Sequence, residues 1–465
     1  MSTLLSVLDP LAAFVDVGSE HMHVSVAGGP PEVFGTMTGD LDRLRDQLQA
    51  QGVRSVAMEA TGVYWLPLYG VLEAAGMKVL MVDGRQTRNV PGRKTDMSDC
   101  QWGATLHAHG LLRGGFVPPV YIRRLQDYVR LRQDHLTLAS SHVQHMQKAL
   151  ERMNVKLHDV ISNLVGVSGL AVVKAILAGE RDPEALLKLC DGQIQKRKAQ
   201  RVKESLRGTW AEEHLFALQQ ALESWEHYQA QVRACDQQIK KALDQVEASV
   251  IPPAPAPAPV PEPAPTGSAA SPASSVEPAK KSAGANAPAI VGLGGLLLRL
   301  TGWKDLTQLP ACTTYSMLQL IAEIGLDLRV WRTEKQFTAW LGLAPGTRQS
   351  GKRHRGVGRR RNRAGRLLCV IVRSLARSRD CALGGFYRRM AGRRGGLLAI
   401  VATARKLAVL IWRAMVHGMA YVEEGLKAYE AKVLATKRHT LERLARQLGV
   451  NLLPSIPQLA PVPTQ

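Results

Sequence analysis

Residues 10–118 alternate strand-like and helix-like segments, and no other feature restricts the fold as tightly. AFVDVGSEHMHVSVAG and PEVFGTM are rich in β-branched residues and read as two or three strands over 12–36, with Gly28–Gly29–Pro30–Pro31 as the turn between them. LDRLRDQLQAQG reads as a short amphipathic helix, with leucines at 41, 44 and 48 and Gly52 as its stop. RSVAMEA is then a strand ending at Glu59, WLPLYGVLEAAG a helix, KVLMVD a strand and TDMSDCQWGATLHAHGLL another helix. Strands that alternate with helices after an opening hairpin predict an α/β domain over 10–118.

The rest of the chain predicts helix. LQDYVRLRQDHLTLASSHVQHMQKALERM and FALQQALESWEHYQAQVRACDQQIKKALDQV repeat apolar residues at spacings near three and four. That spacing predicts an antiparallel helical hairpin or coiled coil over 119–250, a region suited to dimerisation. Composition then shifts abruptly at 251–289, where IPPAPAPAPVPEPAPTGSAASPASS reads as a stiff spacer running into a flexible Ser/Ala/Gly half. It is a linker or disordered insertion. Residues 290–430 predict a mainly α domain, and the 431–465 tail starts as a basic helix and ends Pro-rich. No apolar run reaches a bilayer's span and no cationic leader precedes an apolar core. The six cysteines are scattered without a C-x-x-C pair or zinc spacing, so the expectation is a cytoplasmic protein with reduced thiols.

Charge narrows the function. The 465-residue chain carries a formal +21, and about +18 of it falls within 345–413, where nineteen Lys/Arg face one acid, Asp380. A surplus this local calls for a polyanion, and a nucleic acid backbone is the natural one. The phosphate-contacting candidates are Arg348, Lys352, Arg353, Arg355, Arg359, Arg360, Arg361, Arg363 and Arg366.

Four carboxylates in the α/β domain are placed for metal chemistry. Asp16 lies in an apolar strand between Val15 and Val17, where a carboxylate costs several kcal/mol unless it is paired or metal-bound. Glu59 ends the strand VAME, and Asp96 and Asp99 begin a helix three residues apart, on one face. Converging, they would hold two Mg²⁺ ions for phosphoryl transfer. The plainer reading is that Asp96 and Asp99 cap the helix and complement its dipole, with Glu59 an exposed strand end. His107, His109, His142 and His145 read as packing or solvated residues. In the basic window, GTRQSGKRHRG holds one flanked serine, Ser350, whose neighbouring cations suit a developing oxyanion. Ser350 as an ordinary turn serine is the competing reading.

Taken together these segments resemble the DEDD-type insertion-sequence transposases, a family understood as bridge-RNA-guided serine recombinases. VDVGSEHMHVSV, VAMEATGVYWLPLYGVLEAAGMKVLMVDGRQTRN and RKTDMSDCQWGATLHAHGLL are similar to its RuvC-like domain of RNase H fold. LQLIAEIG, QFTAWLGLAP, RQSGK, the basic run ending in RAGRLL, and RKLAVLIWRAM resemble its C-terminal transposase domain. The resemblance implies an acidic tetrad of Asp16, Glu59, Asp96 and Asp99 binding Mg²⁺, and Ser350 as a nucleophile forming a covalent phosphoserine intermediate with DNA. It also implies element-end and target DNA as substrates, a structured noncoding guide RNA, and homodimers assembling into a homotetramer in a prokaryotic, nucleoid-associated setting. The chain departs from the family at LPACTTYSMLQLIAEIG, where a Pro-Gly-Ile-Gly turn keeps only Pro310. Two other functions fit the residues: a RuvC-like structure-specific nuclease using metal-activated water, and a non-catalytic nucleic-acid-binding protein.

Overall fold

The computed structural model describes residues 6–60, 62–84, 86–87, 96–250, 286–350, 353–357, 360–378 and 381–450. Side chains at 60, 96–98, 347–350, 353–357, 421–430, 432–433 and 437 lie outside that description. So do most of the Pro/Ala linker of 251–289 and the Pro-rich end of the tail, at 451–465. The chain divides into two compact units, 1–117 and 118–465.

The first unit is built on a five-stranded sheet. Its strands are β1 (Ala13–Val17), β2 (His21–Val26), β3 (Glu32–Gly35), β4 (Ser55–Ala60) and β5 (Lys78–Val82), in the order β3-β2-β1-β4-β5. β1 runs antiparallel to β2 and parallel to β4, and β4 runs parallel to β5. Three antiparallel strands followed by two parallel ones form the RNase H-like sheet that the sequence implied. Helices α1 (Thr38–Ala50), α2 (Trp65–Ala74) and α3 (Asp96–Ala108) provide the connections.

Because side chains alternate along a strand, β1 divides its residues between two cores. Ala13, Val15 and Val17 pack with Leu41, Leu44 and Leu48 of α1 and Leu68 and Leu72 of α2. Phe14 turns to the opposite face and packs with Ala57, Val82, Cys100 and Ala104. There α3 lies close on the sheet because residue 103 is glycine: a Cβ at that position would come within 2.5 Å of the Phe14 ring.

The second unit is helical apart from one hairpin. α4 (Val120–Arg152) and α9 (Glu212–Val250) are long helices packed antiparallel: Arg132 meets Asp236, and further along α4 His142 stacks on Tyr228. Between them run α5 (Leu157–Val160), α6 (Val167–Leu177), α7 (Pro183–Lys188) and α8 (Gly192–Ser205) around a second apolar core. The Arg132–Asp236 pair is almost fully buried, with Nε to Oδ1 at 2.6 Å. It does not stand alone: Arg132 also donates to the Asn286 carbonyl and packs on the Tyr315 ring, while Asp236 accepts from the Ala289 amide. A buried ion pair offsets its desolvation only with such added partners, and here they tie the chain at 286–289 to both long helices.

α10 (Leu293–Leu300), α11 (Thr314–Ile324) and α12 (Glu334–Trp340) lead to a two-stranded antiparallel hairpin, β6 (Gly346–Ser350) and β7 (Arg353–Val357). After it come α13 (Arg363–Ile371), α14 (Ala382–Arg394), α15 (Gly396–His417) and α16 (Met419–Leu448). α16 runs on through residue 431, since no proline or glycine interrupts it between Gly425 and Gly449. Among the described residues, no helix is long and apolar enough to cross a membrane.

The turn before α11 forms without glycine. The Cys312 amide donates to the Leu309 carbonyl, so Pro310 and Ala311 are the central residues of a four-residue turn. Ala311 has φ +64, the left-handed value a type II turn needs at its third residue and one glycine ordinarily supplies. The helix then starts from a Thr313 cap that accepts from the Ser316 amide.

Candidate active site

The register of the first sheet brings two of the four expected carboxylates together. Asp16 of β1 is the direct partner of Glu59 of β4, and the strands are parallel, so both acids lie near their carboxyl ends. Adjacent strands run about 4.8 Å apart. Both acids are half-buried, and alternation from Phe14 and Ala57 puts them on the face that α3 covers.

α3 is pinned over that end of the sheet by Cys100. Its thiol sulfur lies 3.0 Å from the His23 carbonyl and 3.4 Å from the Phe14 carbonyl, and its one proton serves either in turn. Burial, with the negative charge of Asp16 adding to it, pushes the Cys100 thiol up to about 12, so it stays protonated as a donor. Asp99 precedes Cys100 and is half-buried, and Asp96 opens the helix one turn earlier. The side chain of Asp96 and residues 88–95 lie outside the described residues.

Glu59 has a built partner that the sequence did not single out. The Thr87 hydroxyl, 4% exposed, lies 2.8 Å from Glu59 Oε2 and 3.0 Å from the Gly84 carbonyl. One hydroxyl proton serves one of these acceptors at a time, and the hydrogen bond to a carboxylate is the stronger. Thr87 lies five residues beyond β5, so its role depends on the chain folding back over β4. The only sequence signal was a hydroxyl in the GRQTRN segment. Carboxylate oxygens suit a hard divalent cation, so the donor chemistry fits Mg²⁺. Among the described residues, however, no three candidate ligands converge into a ready-made metal site. The histidines are packing residues: His107 is buried against the Ser55 hydroxyl at 2.9 Å, and His142 stacks on Tyr228 with His145 edge-on to it.

Ser350 is the last paired residue of β6, opposite Arg353, and Arg348 is opposite Arg355. By alternation these four positions share one face of the hairpin, with Gln349 and His354 on the other. The side chains of Arg348, Ser350, Arg353 and Arg355, and residues Lys352 and Arg359 as a whole, lie outside the described residues.

The base of the hairpin is fixed at both ends. Asn362 Nδ2 donates to the Trp340 carbonyl, and its Oδ1 accepts from the Gly365 amide. Gly342 has φ +72, and a Cβ there would come within 2.5 Å of the Arg360 carbonyl. Arg360, Arg361 and Arg366 are exposed. Arg363 is held back by acids, 3.5 Å from Asp134 and 3.7 Å from Glu323, and Glu323 also receives both nitrogens of Arg130.

Family comparison covers both units. Residues 15–155 match a DEDD-type IS110 model described as a transposase, and residues 304–387 match one described as the transposase IS116/IS110/IS902 family. The chain belongs to the DEDD-type insertion-sequence transposases. Among curated proteins, none matches it. The Asp16–Glu59 pair, Asp96, Asp99 and Thr87 of this transposase fall within the first matched region, and the Ser350 hairpin and Asn362 within the second. As a transposase it is an enzyme of DNA rearrangement, and DNA is its substrate.

Proposed function

We propose that this transposase cuts and exchanges DNA strands through a serine–DNA intermediate at an acid-held metal centre, with a structured RNA selecting the sequences joined. The observation that carries the reading is the pairing of Asp16 with Glu59 on the α3 side of an RNase H-like sheet. Asp16, Glu59, Asp96 and Asp99 would hold the metal. When bound, Mg²⁺ supplies charge neutralisation for the oxygens of the scissile phosphate.

The chain's own residues do the rest. The Ser350 Oγ attacks phosphorus, an O–P bond to serine forms, and the bond from phosphorus to the 3′-oxygen breaks. The serine proton passes to solvent, and the leaving 3′-oxygen takes one up as a free hydroxyl. Attack by a 3′-hydroxyl of the exchanged strand on the phosphoserine rejoins DNA and restores the serine. Arg348, Lys352, Arg353 and Arg355 bind the backbone near the reacting group, and Arg359, Arg360, Arg361 and Arg366 extend that contact. Dense arginine reads phosphate charge and A-form shape rather than sequence, which leaves sequence choice to base pairing with the RNA. Subunits assemble as dimers and dimers of dimers.

The test is incubation with element-end DNA, target DNA and the cognate RNA in Mg²⁺, read on denaturing gels. A protein–DNA adduct lost in Ser350→Ala, with recombinant product lost in Asp16→Ala, is the expected result. Cleavage that survives Ser350→Ala would make the protein a water-using nuclease. Binding without Mg²⁺-dependent cleavage would leave only a packaging role.

A further inference from the structure

The corner between α14 and α15 is exposed in a way the proposed chemistry does not use. Residues 392–398, Gly-Arg-Arg-Gly-Gly-Leu-Leu, are all exposed. Leu397 is 83% exposed and Leu398 57%, side by side at the start of a helix whose later apolar residues Leu407, Ala408 and Ile411 are fully buried. Gly395 turns the chain with φ +83, and open space surrounds Gly392 and Gly395. The corner is therefore a narrow tip of bare backbone carrying two arginines and then two leucines.

Along α14 and α15 themselves the charge is of one sign. Residues 381–417 contain seven Lys/Arg and no Asp or Glu. Arg413 is engaged by Glu334, Lys406 lies over the Phe386 ring and Arg388 donates to the Ser378 carbonyl. Among the described residues no salt bridge holds Arg393 or Arg394. Two adjacent arginines beside exposed leucines would repel a second basic surface, and they complement a polyanion. Arginines that enter a narrow minor groove beside an apolar wedge between base steps are the recurring solution for bending duplex DNA. The wide, shallow minor groove of A-form RNA offers no such grip.

We propose that the α14–α15 corner is a second DNA-binding surface, at which Arg393 and Arg394 grip the minor groove of duplex DNA and Leu397 and Leu398 wedge open a base step. The surface lies beyond the hairpin arginines and is independent of any covalent step. It gives the transposase a means of kinking DNA held elsewhere on the protein.

The experiment uses the full chain in the Ser350→Ala background with EDTA present, so its outcome does not depend on the proposed chemistry. The probe is a mixed-sequence B-form duplex carrying 2-aminopurine at pyrimidine–purine steps, where unstacking costs least. Binding should raise the 2-aminopurine fluorescence. The Arg393→Ala/Arg394→Ala variant should lower the slope of log affinity against log salt by about two, one for each cation whose binding releases a counterion. The Leu397→Ala/Leu398→Ala variant should keep that slope and lose the fluorescence rise. All four residues are exposed, so both variants should melt with the parent. An unchanged slope in the first variant, or unchanged fluorescence in the second, overturns the proposal. So does an equal loss of binding to an A-form RNA duplex, or a change in sedimentation of the leucine variant without DNA, which would make the corner a protein contact.

Discussion

Thr87 fixes one oxygen of Glu59 through a buried hydroxyl, and partners of this kind behind metal-ligating carboxylates are worth about 10–100-fold in metal affinity. Thr87→Val, which keeps the shape and removes the donor, should weaken Tb³⁺ luminescence titrations by that factor, and Thr87→Ser should restore most of it. An unchanged titration would make Thr87 a packing residue. His107 carries a second prediction. Burial, the first cause, together with Lys78, holds its imidazole below the ordinary 6.5, against weaker upward pulls from Asp9 and Ser55. As pH falls past 6.5 the unfolded chain takes up the proton first. The neutral folded histidine therefore contributes full stability above 6.5 and loses it as pH drops toward its depressed value. His107→Gln, which can still bond Ser55, should flatten the fall in melting temperature between about pH 7 and 5. Single residues were legible where they broke their surroundings. Asp16 stood out because a charge in an apolar run needs a reason, whereas Thr87 is an ordinary loop threonine until the chain returns across β4.

At the scale of elements, β-branched runs and period-3.6 patterns located the sheet and helices of the first unit, where β1 buries both faces and α1 a single stripe of leucines. The β6–β7 hairpin escaped that reasoning. GTRQS and RHRGV have almost no apolar alternation, only Thr347 and Val357 are β-branched, and three glycines suggested a loop. Its signal was the Gly351–Lys352 pair between two equal segments, a two-residue hairpin connection. The base of the hairpin is held at Gly342 and Asn362, by contacts that composition does not reveal. The turn ahead of α11 shows the opposite case, a left-handed backbone position taken by alanine where glycine is the preferred residue. A non-glycine residue in the left-handed region costs about 1–2 kcal/mol, against about 0.4–1 kcal/mol of extra chain entropy when glycine is restored. Ala311→Gly should thus raise stability by up to about 1.5 kcal/mol in urea unfolding. A loss of stability would mean that the Ala311 methyl packs for more than its strain costs.

At the scale of the whole molecule, charge and chemistry are divided between the units. Asp16, Glu59, Asp96 and Asp99 belong to the first, while Ser350 and most of the surplus positive charge belong to the second. We propose that assembly joins the two halves, with the serine of one subunit serving the acids of another. Mixing inactive subunits separates that arrangement from a site within one chain. In a dimer of Asp16→Ala with Ser350→Ala, exchange across subunits leaves one site doubly defective and the other with intact acids and an intact serine. Half the dimers in an equimolar mixture are mixed and half their sites are whole, so covalent protein–DNA adduct should return to roughly a quarter of the wild-type level. Sites completed within a single chain would yield no adduct at any mixing ratio. The subunits must be refolded together, so that stable homodimers do not mask the exchange. The adduct should also be carried only by the Asp16→Ala chain, whose serine is intact, and a size tag on one variant shows this on the same gel.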